Sequence, residues 1–415
     1  MASRPVMPAS WPAMSSAACV AWRARVVRKR GRVPAAPALS TLVLCALALA
    51  ACRKPRVAEF RIGLIRSIDR GTQRAADEPG RHGAAVAVGE LNAAGGVRIA
   101  GVTHRIVLVE RTTAARPDAA ASVARELVNL ESVDVLVGPN TSALAEAAGA
   151  VAEAAGVPLI APLASAAPVT EGREFVTRLA FLDGVQGRLL ARFARDSMRL
   201  ERVASMHNAA SIYGRDIVTL FATEFRSRGG LIVAAETFDA DDPASRLRAI
   251  RRLVAARPEA VLLPNFSSAD SLDLRQMRTL GFRGRLLGSD FWDAAAIERS
   301  GIADGAIVTA NWDRRAERPE LQAFLRAFSA RYPEERPRAT AAANYDAIRL
   351  LAAAAARAGT RSGAPVARAL RTMGEYAGAF GSYRFIGSGD PVRGAVILEL
   401  RGDSSRLRAL YGPLP

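Results

Sequence analysis

Short apolar runs alternate with stretches of helical periodicity along most of the chain. The predicted strands are 58–67, 104–110, 133–138, 157–162, 202–207, 231–238, 259–265 and 283–290, with two more near 380–386 and 395–401. The predicted helices are 82–96, 116–130, 142–156, 212–230, 243–257, 268–282, 319–331 and 338–358, and a Gly/Asp/Glu-rich loop is expected at 69–80. Strands that alternate with helices in this way predict parallel β-sheets flanked by helices.

A different pattern precedes the first strand. A basic stretch at 23–32 is followed by an apolar stretch at 39–50, which ends at Cys52. About a dozen apolar residues are fewer than the roughly 20 that a transmembrane helix needs, but this order is typical of a secretory signal. The sequence Leu49-Ala50-Ala51-Cys52 resembles the lipobox of bacterial lipoproteins, in which the cysteine is lipidated. An ordinary signal with an incidental cysteine is the alternative.

The cysteines favour the lipobox. Removal of residues 1–51 would take away Cys19 and Cys45 and leave Cys52 alone, so an internal disulfide cannot form. We therefore expect a signal peptide at 1–51 and a lipidated tether at 52–56. The mature protein is expected to be exported and membrane-anchored, facing the periplasm, or the cell exterior if the organism has one membrane.

The net charge of +17 overstates the basic character of the mature chain. Residues 1–51 carry seven basic residues and no acid, which leaves +10 for the rest. Lysine occurs only at positions 29 and 54, and the arginines are scattered rather than clustered. This distribution is typical of codon usage in a GC-rich genome, and it does not favour a nucleic-acid partner.

The motifs of several enzyme classes are missing from the sequence. Its three histidines, at 82, 104 and 207, have no HExxH or CxxC spacing around them, and no Walker, G-x-S-x-G or G-x-G-x-x-G sequence occurs. These patterns favour a binding protein over an enzyme and predict neither a metal nor a cofactor.

One segment suits an anionic ligand group. In "GPNTSALAEAAG", Thr141 and Ser142 lie between a strand and a helix, where hydroxyls, free N–H groups and the helix dipole favour a carboxylate. Open α/β sheets bind ligands at this edge. Alternatively, either residue only caps the helix.

Several segments occur in an order that resembles a known family. They are "FRIGLI", "GAAVAVGELNAAGGV", "VDVLVGPNTSALAEAA", "GVPLIAPLASAAPVT", "IYGRD" and "LLGSDFWD". From about 58 to 402 the chain resembles the type I periplasmic binding proteins, specifically the leucine/isoleucine/valine-binding receptors of ABC transporters. The resemblance implies two Rossmann-like lobes joined by a three-crossing hinge. Their expected extents are 57–181 plus 310–381 for lobe one, 182–309 plus 382–403 for lobe two, and 404–415 for a C-terminal tail.

The resemblance also implies roles for residues on lobe one. Ser142 falls on a ligand-binding serine of the family. Leu163 would offer its carbonyl, Ala164 its amide and Ser165 its hydroxyl, in a loop that could also be an ordinary turn.

On lobe two, Asp290 matches a carboxylate that binds the ligand's ammonium group, although it could instead cap the next helix. Tyr213 and Phe266 would line the pocket for the ligand's side chain, although single aromatic residues more often belong to a core. The chain departs from the family at Ala76, where an aromatic is frequent, and at Glu110-Arg111, where an acidic pair is frequent.

These features together predict a monomeric solute-binding lipoprotein of an ABC importer. Its ligand would be a branched-chain-like amino acid, or a related small amide or acid, bound between the lobes as the hinge closes. The expected partners are an ABC permease and, through Cys52, a membrane. Two alternatives stay open: a protein-contact module such as a cell-wall synthase activator, and a ligand sensor that does not transport.

Overall fold

The computed structural model describes residues 57–67, 72–264, 267–292, 301–402 and 404–414. The described strands are β1 (Ala58–Ser67), β2 (Val97–Ile99), β3 (Val102–Thr113), β4 (Val135–Val137), β5 (Leu159–Ala161), β6 (Val176–Arg178), β7 (Arg202–Asn208), β8 (Leu231–Phe238), β9 (Ala260–Leu263), β10 (Arg285–Gly288), β11 (Ile307–Ala310), β12 (Gly374–Ala377), β13 (Ser382–Phe385), β14 (Arg393–Arg401) and β15 (Ser404–Leu414). The described helices are α1 (Thr72–Ala93), α2 (Pro117–Asn129), α3 (Ser142–Ala155), α4 (Asp183–Arg192), α5 (Ile212–Ser227), α6 (Pro243–Ala255), α7 (Ser267–Thr279), α8 (Pro319–Arg331), α9 (Ala339–Ala358) and α10 (Ala364–Arg371).

The first sheet has the strand order β2-β3-β1-β4-β5-β6. Its neighbours run parallel, except that β2 and β3 form an antiparallel pair. Phe60 and Ile62 pack with Phe324 of α8 and Ile348 of α9 in one core, and α2 and α3 cover the opposite face. Because helices cover both faces, the central strands are continuous apolar runs, as in β4.

The second sheet has the order β15-β14-β11-β10-β9-β7-β8. Strands β7 to β11 run parallel to one another, whereas β14 is antiparallel to both of its neighbours, β11 and β15. Helices α6 and α7 cover one face and α4 and α5 the other, with Ile250 and Phe221 among the residues of the respective cores. The predicted α/β class, with parallel sheets flanked by helices, is confirmed.

The chain passes between the two sheets at three places. The first crossing follows β6, the second follows β11, and the third joins β13 to β14. Tyr383 and Phe385 of β13 pack in the core of the first sheet. The expected boundary between 381 and 382 is therefore misplaced, because apolar packing keeps the chain with the first sheet through residue 385.

Two other expectations are wrong. The predicted loop at 69–80 is helical from Thr72, because α1 begins there and continues through Pro79. The Gly, Asp and Glu residues of this segment suggested a loop, but glutamate, like the Gln, Arg and Ala beside it, forms helices well. The expected tail at 404–415 is largely β15, which pairs with β14 and places Leu407 opposite Leu398. Sheet pairing thus orders a segment whose own composition does not indicate a strand.

Candidate functional site

The predicted site residues lie at the carboxyl ends of parallel strands. Thr141 and Ser142 follow β4, the loop 163–165 follows β5, and Asp290 follows β10. Tyr213 lies in the first turn of α5, just after β7. This edge is where open α/β sheets bind ligands. Phe266 and Cys52 lie outside the described residues.

A glycine shapes the turn that leads to Thr141. Gly138 has φ +84°, and a Cβ atom there would lie 2.6 Å from the backbone oxygen of Ile65. Only glycine fits both the left-handed conformation and the close approach. The turn delivers Thr141 to the N-cap position of α3, where its side chain makes no capping hydrogen bond. Thr141 therefore does not act as a side-chain cap.

Ser142 joins the two loops predicted for lobe one. Its hydroxyl oxygen accepts hydrogen bonds from the N–H groups of Ser165, at 3.3 Å, and Ala166, at 3.2 Å. The side chain is buried at the start of α3. Since the oxygen is used as an acceptor, the O–H group keeps its donor capacity. Ser142 thus fixes the loop and can still donate one hydrogen bond.

The loop 163–165 is buried and held through its backbone. Leu163, Ala164 and Ser165 are 6%, 1% and 0% exposed. The carbonyl of Ala164 accepts from Nη1 of Arg178 at 3.1 Å, and the carbonyl of Ser165 accepts from the N–H of Asp183 at 3.0 Å. The buried hydroxyl of Ser165 lies beside the carboxyl group of Asp183, whose ionised form it stabilises.

Asp290 is held by two donors. The hydroxyl of Tyr213 donates to its Oδ1, and Nδ2 of Asn311 donates to its Oδ2, each at 2.6 Å. Burial raises the pKa of Asp290 to about 6, and the Tyr213 hydrogen bond opposes this rise. The residue is half-buried at the end of β10. It can therefore be ionised at neutral pH and attract a cation.

The structure buries Tyr213, and its contact with the ligand's side chain stays a prediction. It is 2% exposed and packs in the core of the second sheet, with its ring edge against Phe291. From its position on α5, the hydroxyl donates to Asp290. Tyr213 thus acts on the site through that carboxyl group.

Sequence reasoning missed a second acid, Asp183, in the first turn of α4. Its Oδ1 accepts from Nε2 of Gln186 at 3.0 Å, and the Gln186 oxygen accepts from Oγ1 of Thr309 at 2.9 Å. The carboxyl group also lies beside the hydroxyl of Ser165. Burial, with the nearby Asp290, raises the pKa of Asp183 to about 8. An acid directly after the apolar run "RLAFL" was the available signal.

Two buried arginines near the crossings were also missed. Arg178 donates to Asp390 as well as to Ala164, and Arg393 donates to the carbonyls of Leu179 and Asn311. Arginine is seldom fully buried without partners. The only signal in the sequence that these two side chains are buried and paired was their position at the edge of an apolar run. By contrast, Glu110 pairs with Arg66 on the first sheet and takes no part in this site.

Two other kinds of site, a metal centre and a membrane-spanning helix, were sought among the described residues. Among the described residues, no group of three or more His, Cys, Asp or Glu side chains is placed to hold a metal ion. In the same segments, no helix is both long enough and apolar enough to cross a membrane.

Comparison with known proteins identifies relatives of this chain. Residues 59–404 match a family model described as periplasmic binding protein. A Leu/Ile/Val-binding protein of Rhizobium johnstonii is 26% identical over 363 residues, which span 85% of this chain and 94% of that protein. The crystal structure of a leucine-binding protein from Thermotoga maritima has a TM-score of 0.77 and 25% identity, covering 85% of this chain and 99% of its own. A branched-chain amino acid transporter substrate-binding protein from Streptococcus pneumoniae, in complex with isoleucine, has a TM-score of 0.77 and 27% identity, covering 86% and 100%.

Proposed function

The chain belongs to the periplasmic binding protein family, and from that premise we propose that it binds an amino acid, or a closely related amine-bearing solute, between two lobes. The ligand class follows the relatives, which are named for leucine, isoleucine and valine. The observation that carries the proposal is half-buried Asp290, whose carboxyl group is held by Tyr213 and Asn311.

In the proposed complex, the two ends of an amino acid meet different partners. The ammonium group pairs with ionised Asp290. The carboxylate lies at the N-terminus of α3, near Thr141 and the Ser142 hydroxyl, where the helix dipole favours an anion. Ser165 supplies its buried hydroxyl, and Leu163 and Ala164 supply backbone groups. Phe266 is proposed to contact the ligand's side chain.

Closure of the lobes about the crossings completes the proposed mechanism. Lobe one comprises the first sheet with residues 57–181 and 311–385, because β11 belongs to the second sheet through Ala310. Lobe two comprises the second sheet with its helices. A ligand that contacts both lobes stabilises the closed form by its higher affinity for that form.

We further propose that the protein is a lipoprotein that delivers solute to an ABC permease. Cys52 would carry the lipid, with residues 53–56 as a tether, so that the domain stays at the membrane outside the cytoplasm. Cys52→Ser should release the protein from the membrane fraction and abolish labelling by a clickable fatty acid, whereas Cys45→Ser should change neither. Equal labelling of wild type and Cys52→Ser would contradict the anchor.

Ligand screening tests the binding function. The full-length chain, expressed in a bacterium and purified in mild detergent, is screened by thermal shift against amino acids, amides, urea and aromatic acids. A ligand that binds only the folded state raises the melting temperature. Hits are measured by calorimetry with Asp290→Asn and with the exposed control Asp241→Asn.

We expect Asp290→Asn to weaken binding of amine-bearing ligands by about 2–5 kcal/mol, the usual cost of removing one partner of a buried charge pair. Asp241→Asn should bind like the wild type. No shift with any compound at millimolar concentration would reject the solute-binding proposal and favour a protein-contact module.

A further inference from the structure

The second crossing begins with a buried asparagine that contacts both the site and another crossing. Asn311 directly follows β11 and is 6% exposed. Its Nδ2 donates to Oδ2 of Asp290 at 2.6 Å, and its Oδ1 accepts from the N–H of Phe181 at 3.1 Å. One short side chain therefore links the carboxyl group of Asp290 to the first crossing.

The backbone of the same residue is linked to the third crossing. Its carbonyl oxygen accepts a hydrogen bond from Nη2 of Arg393, the first residue of β14. The same guanidinium donates to the carbonyls of Leu179 and Phe380. Arg393 is 3% exposed, so these hydrogen bonds are shielded from water. Hydrogen bonds thus extend from Asp290 through Asn311 to all three crossings.

We infer that Asn311 is a positioning residue that fixes the Asp290 carboxylate relative to the hinge. A buried amide that is bonded at both ends has one favourable orientation, because rotation would leave polar atoms unpaired. The amide nitrogen therefore points at Asp290 and the amide oxygen at Phe181. The inference rests on the proposed function in one respect, since it takes the Asp290 carboxylate to bind the ammonium group of an amine-bearing ligand.

The surroundings of Asp290 define what a substitution must preserve. Tyr213 from α5 donates to the carboxylate, Asp183 from α4 is an acid close to it, and Arg393 from β14 contributes a positive charge. Asn311 supplies a neutral donor among these groups. A carboxyl group in its place can act as such a donor only while it holds a proton.

Two variants of matched size test the inference. Asn311→Leu removes the donor at every pH, and we expect it to weaken amine binding about tenfold throughout. Asn311→Asp places two carboxyl groups side by side, so that one retains a proton at low pH and donates as the amide does. We therefore expect the ratio of wild-type to Asn311→Asp affinity to differ between pH 6, where the pair shares a proton, and pH 8.5, where two adjacent carboxylates repel each other. Calorimetry with the best amine ligand of the screen measures both affinities.

A remote asparagine provides the control. Asn92 of α1 exchanges two hydrogen bonds with the backbone of Ile106 in the first sheet. Asn92→Asp should lower the melting temperature without changing how ligand affinity depends on pH. If the ratio of wild-type to Asn311→Asp affinity is the same at pH 6 and pH 8.5, Asn311 does not position Asp290 and the inference is overturned.

A ligand-free experiment separates this inference from the proposed function. Melting temperatures are measured for Asn311→Leu, Asp290→Asn and the double variant. Contact between the side chains predicts shifts that do not add, whereas additive shifts overturn the inference. If the wild type binds no amine, the proposed function fails, but this cycle still decides whether Asn311 holds Asp290.

Discussion

Arg178 donates from Nε to Oδ1 of Asp390 across 2.6 Å, although the two residues are 212 positions apart in the sequence. Arg178 ends β6 and is fully buried, and Asp390 lies on the third crossing with about a third of its side chain exposed. The same guanidinium donates to the carbonyls of Ala164 and Ala167. This arginine therefore connects the loop that is proposed to hold the ligand to the hinge.

Arg178→Met should destabilise the fold and weaken ligand binding, although Arg178 is not proposed to touch the ligand. The substitution removes the donor to the carbonyl of buried Ala164, and leaving such a group unpaired costs about 1–3 kcal/mol. Asp390, which is about a third exposed, loses its charge partner but keeps the hydrogen bond from the Thr170 hydroxyl. Urea unfolding measures the stability and calorimetry the affinity.

Arg116→Met provides the matched control for Arg178→Met. Arg116 also pairs with an aspartate, Asp118, but both side chains are about 70% exposed. Exposed pairs contribute little, so this variant should match the wild type in both measurements. Equal effects of the two substitutions would show that the position of Arg178 has no special importance.

Ser142→Ala should loosen the loop after β5. It removes the acceptor of the Ser165 and Ala166 N–H groups, and leaving buried donors unpaired costs about 1–3 kcal/mol. We expect a lower free energy of unfolding and weaker binding of any carboxylate ligand. Ser122→Ala, at an exposed position of α2, should have little effect, and a normal affinity in Ser142→Ala would remove this hydroxyl from the proposed site.

Asp183 should make the ligand-free protein less stable as the pH rises. The unfolded carboxyl group loses its proton near its ordinary pKa of 3.8, but the folded one keeps it until about pH 8. Between these values the folded state binds more protons, so the free energy of unfolding falls by up to about 1.4 kcal/mol per pH unit. Asp273, Asp290 and Asp346 also have raised pKa values and act in the same direction.

Asp183→Asn removes the part of this pH dependence of stability that comes from Asp183. The variant should match the wild type near pH 4 and be more stable than it at pH 8, as urea unfolding at both values can show. The exposed Asp118→Asn should leave the dependence intact. A variant that loses stability equally at both pH values would indicate that Asp183 is ionised in the folded state.

The sequence predicted most strands and helices because local patterns determine them. A buried parallel strand such as β4 is a continuous apolar run, and the αL glycine Gly156 ends α3 where the predicted helix ends. Strand β15 was missed because its order depends on pairing with β14 rather than on its own composition. The start of α1 was missed because residues typical of loops lie inside a helix.

The candidate site was only partly predictable, for a related reason. Ser142 and Ser165 belong to recognisable strand-to-helix turns, and the structure brings them together. Asn311 and Arg393 carry no local signal, since they act through partners on other elements. Asn311 bonds to Asp290 and Phe181, and Arg393 bonds to Leu179. Asparagine after a strand and arginine before one are both common on protein surfaces, and only the three-dimensional arrangement distinguishes these two.

Tyr213→Phe should change the pH at which ligand binding is lost. The Tyr213 hydroxyl stabilises ionised Asp290 and opposes the rise of its pKa to about 6. Without this donor the pKa rises further, by about one unit for a hydrogen bond of this kind, so a larger fraction of Asp290 is protonated at pH 7. Binding of an amine ligand should therefore weaken strongly at pH 6.5 and little at pH 8.5. Tyr345→Phe removes a hydroxyl bonded to Glu90 in the first lobe, and it should not change the pH at which half of the binding is lost. If Tyr213→Phe also leaves that pH unchanged, Asp290 does not control binding through its charge.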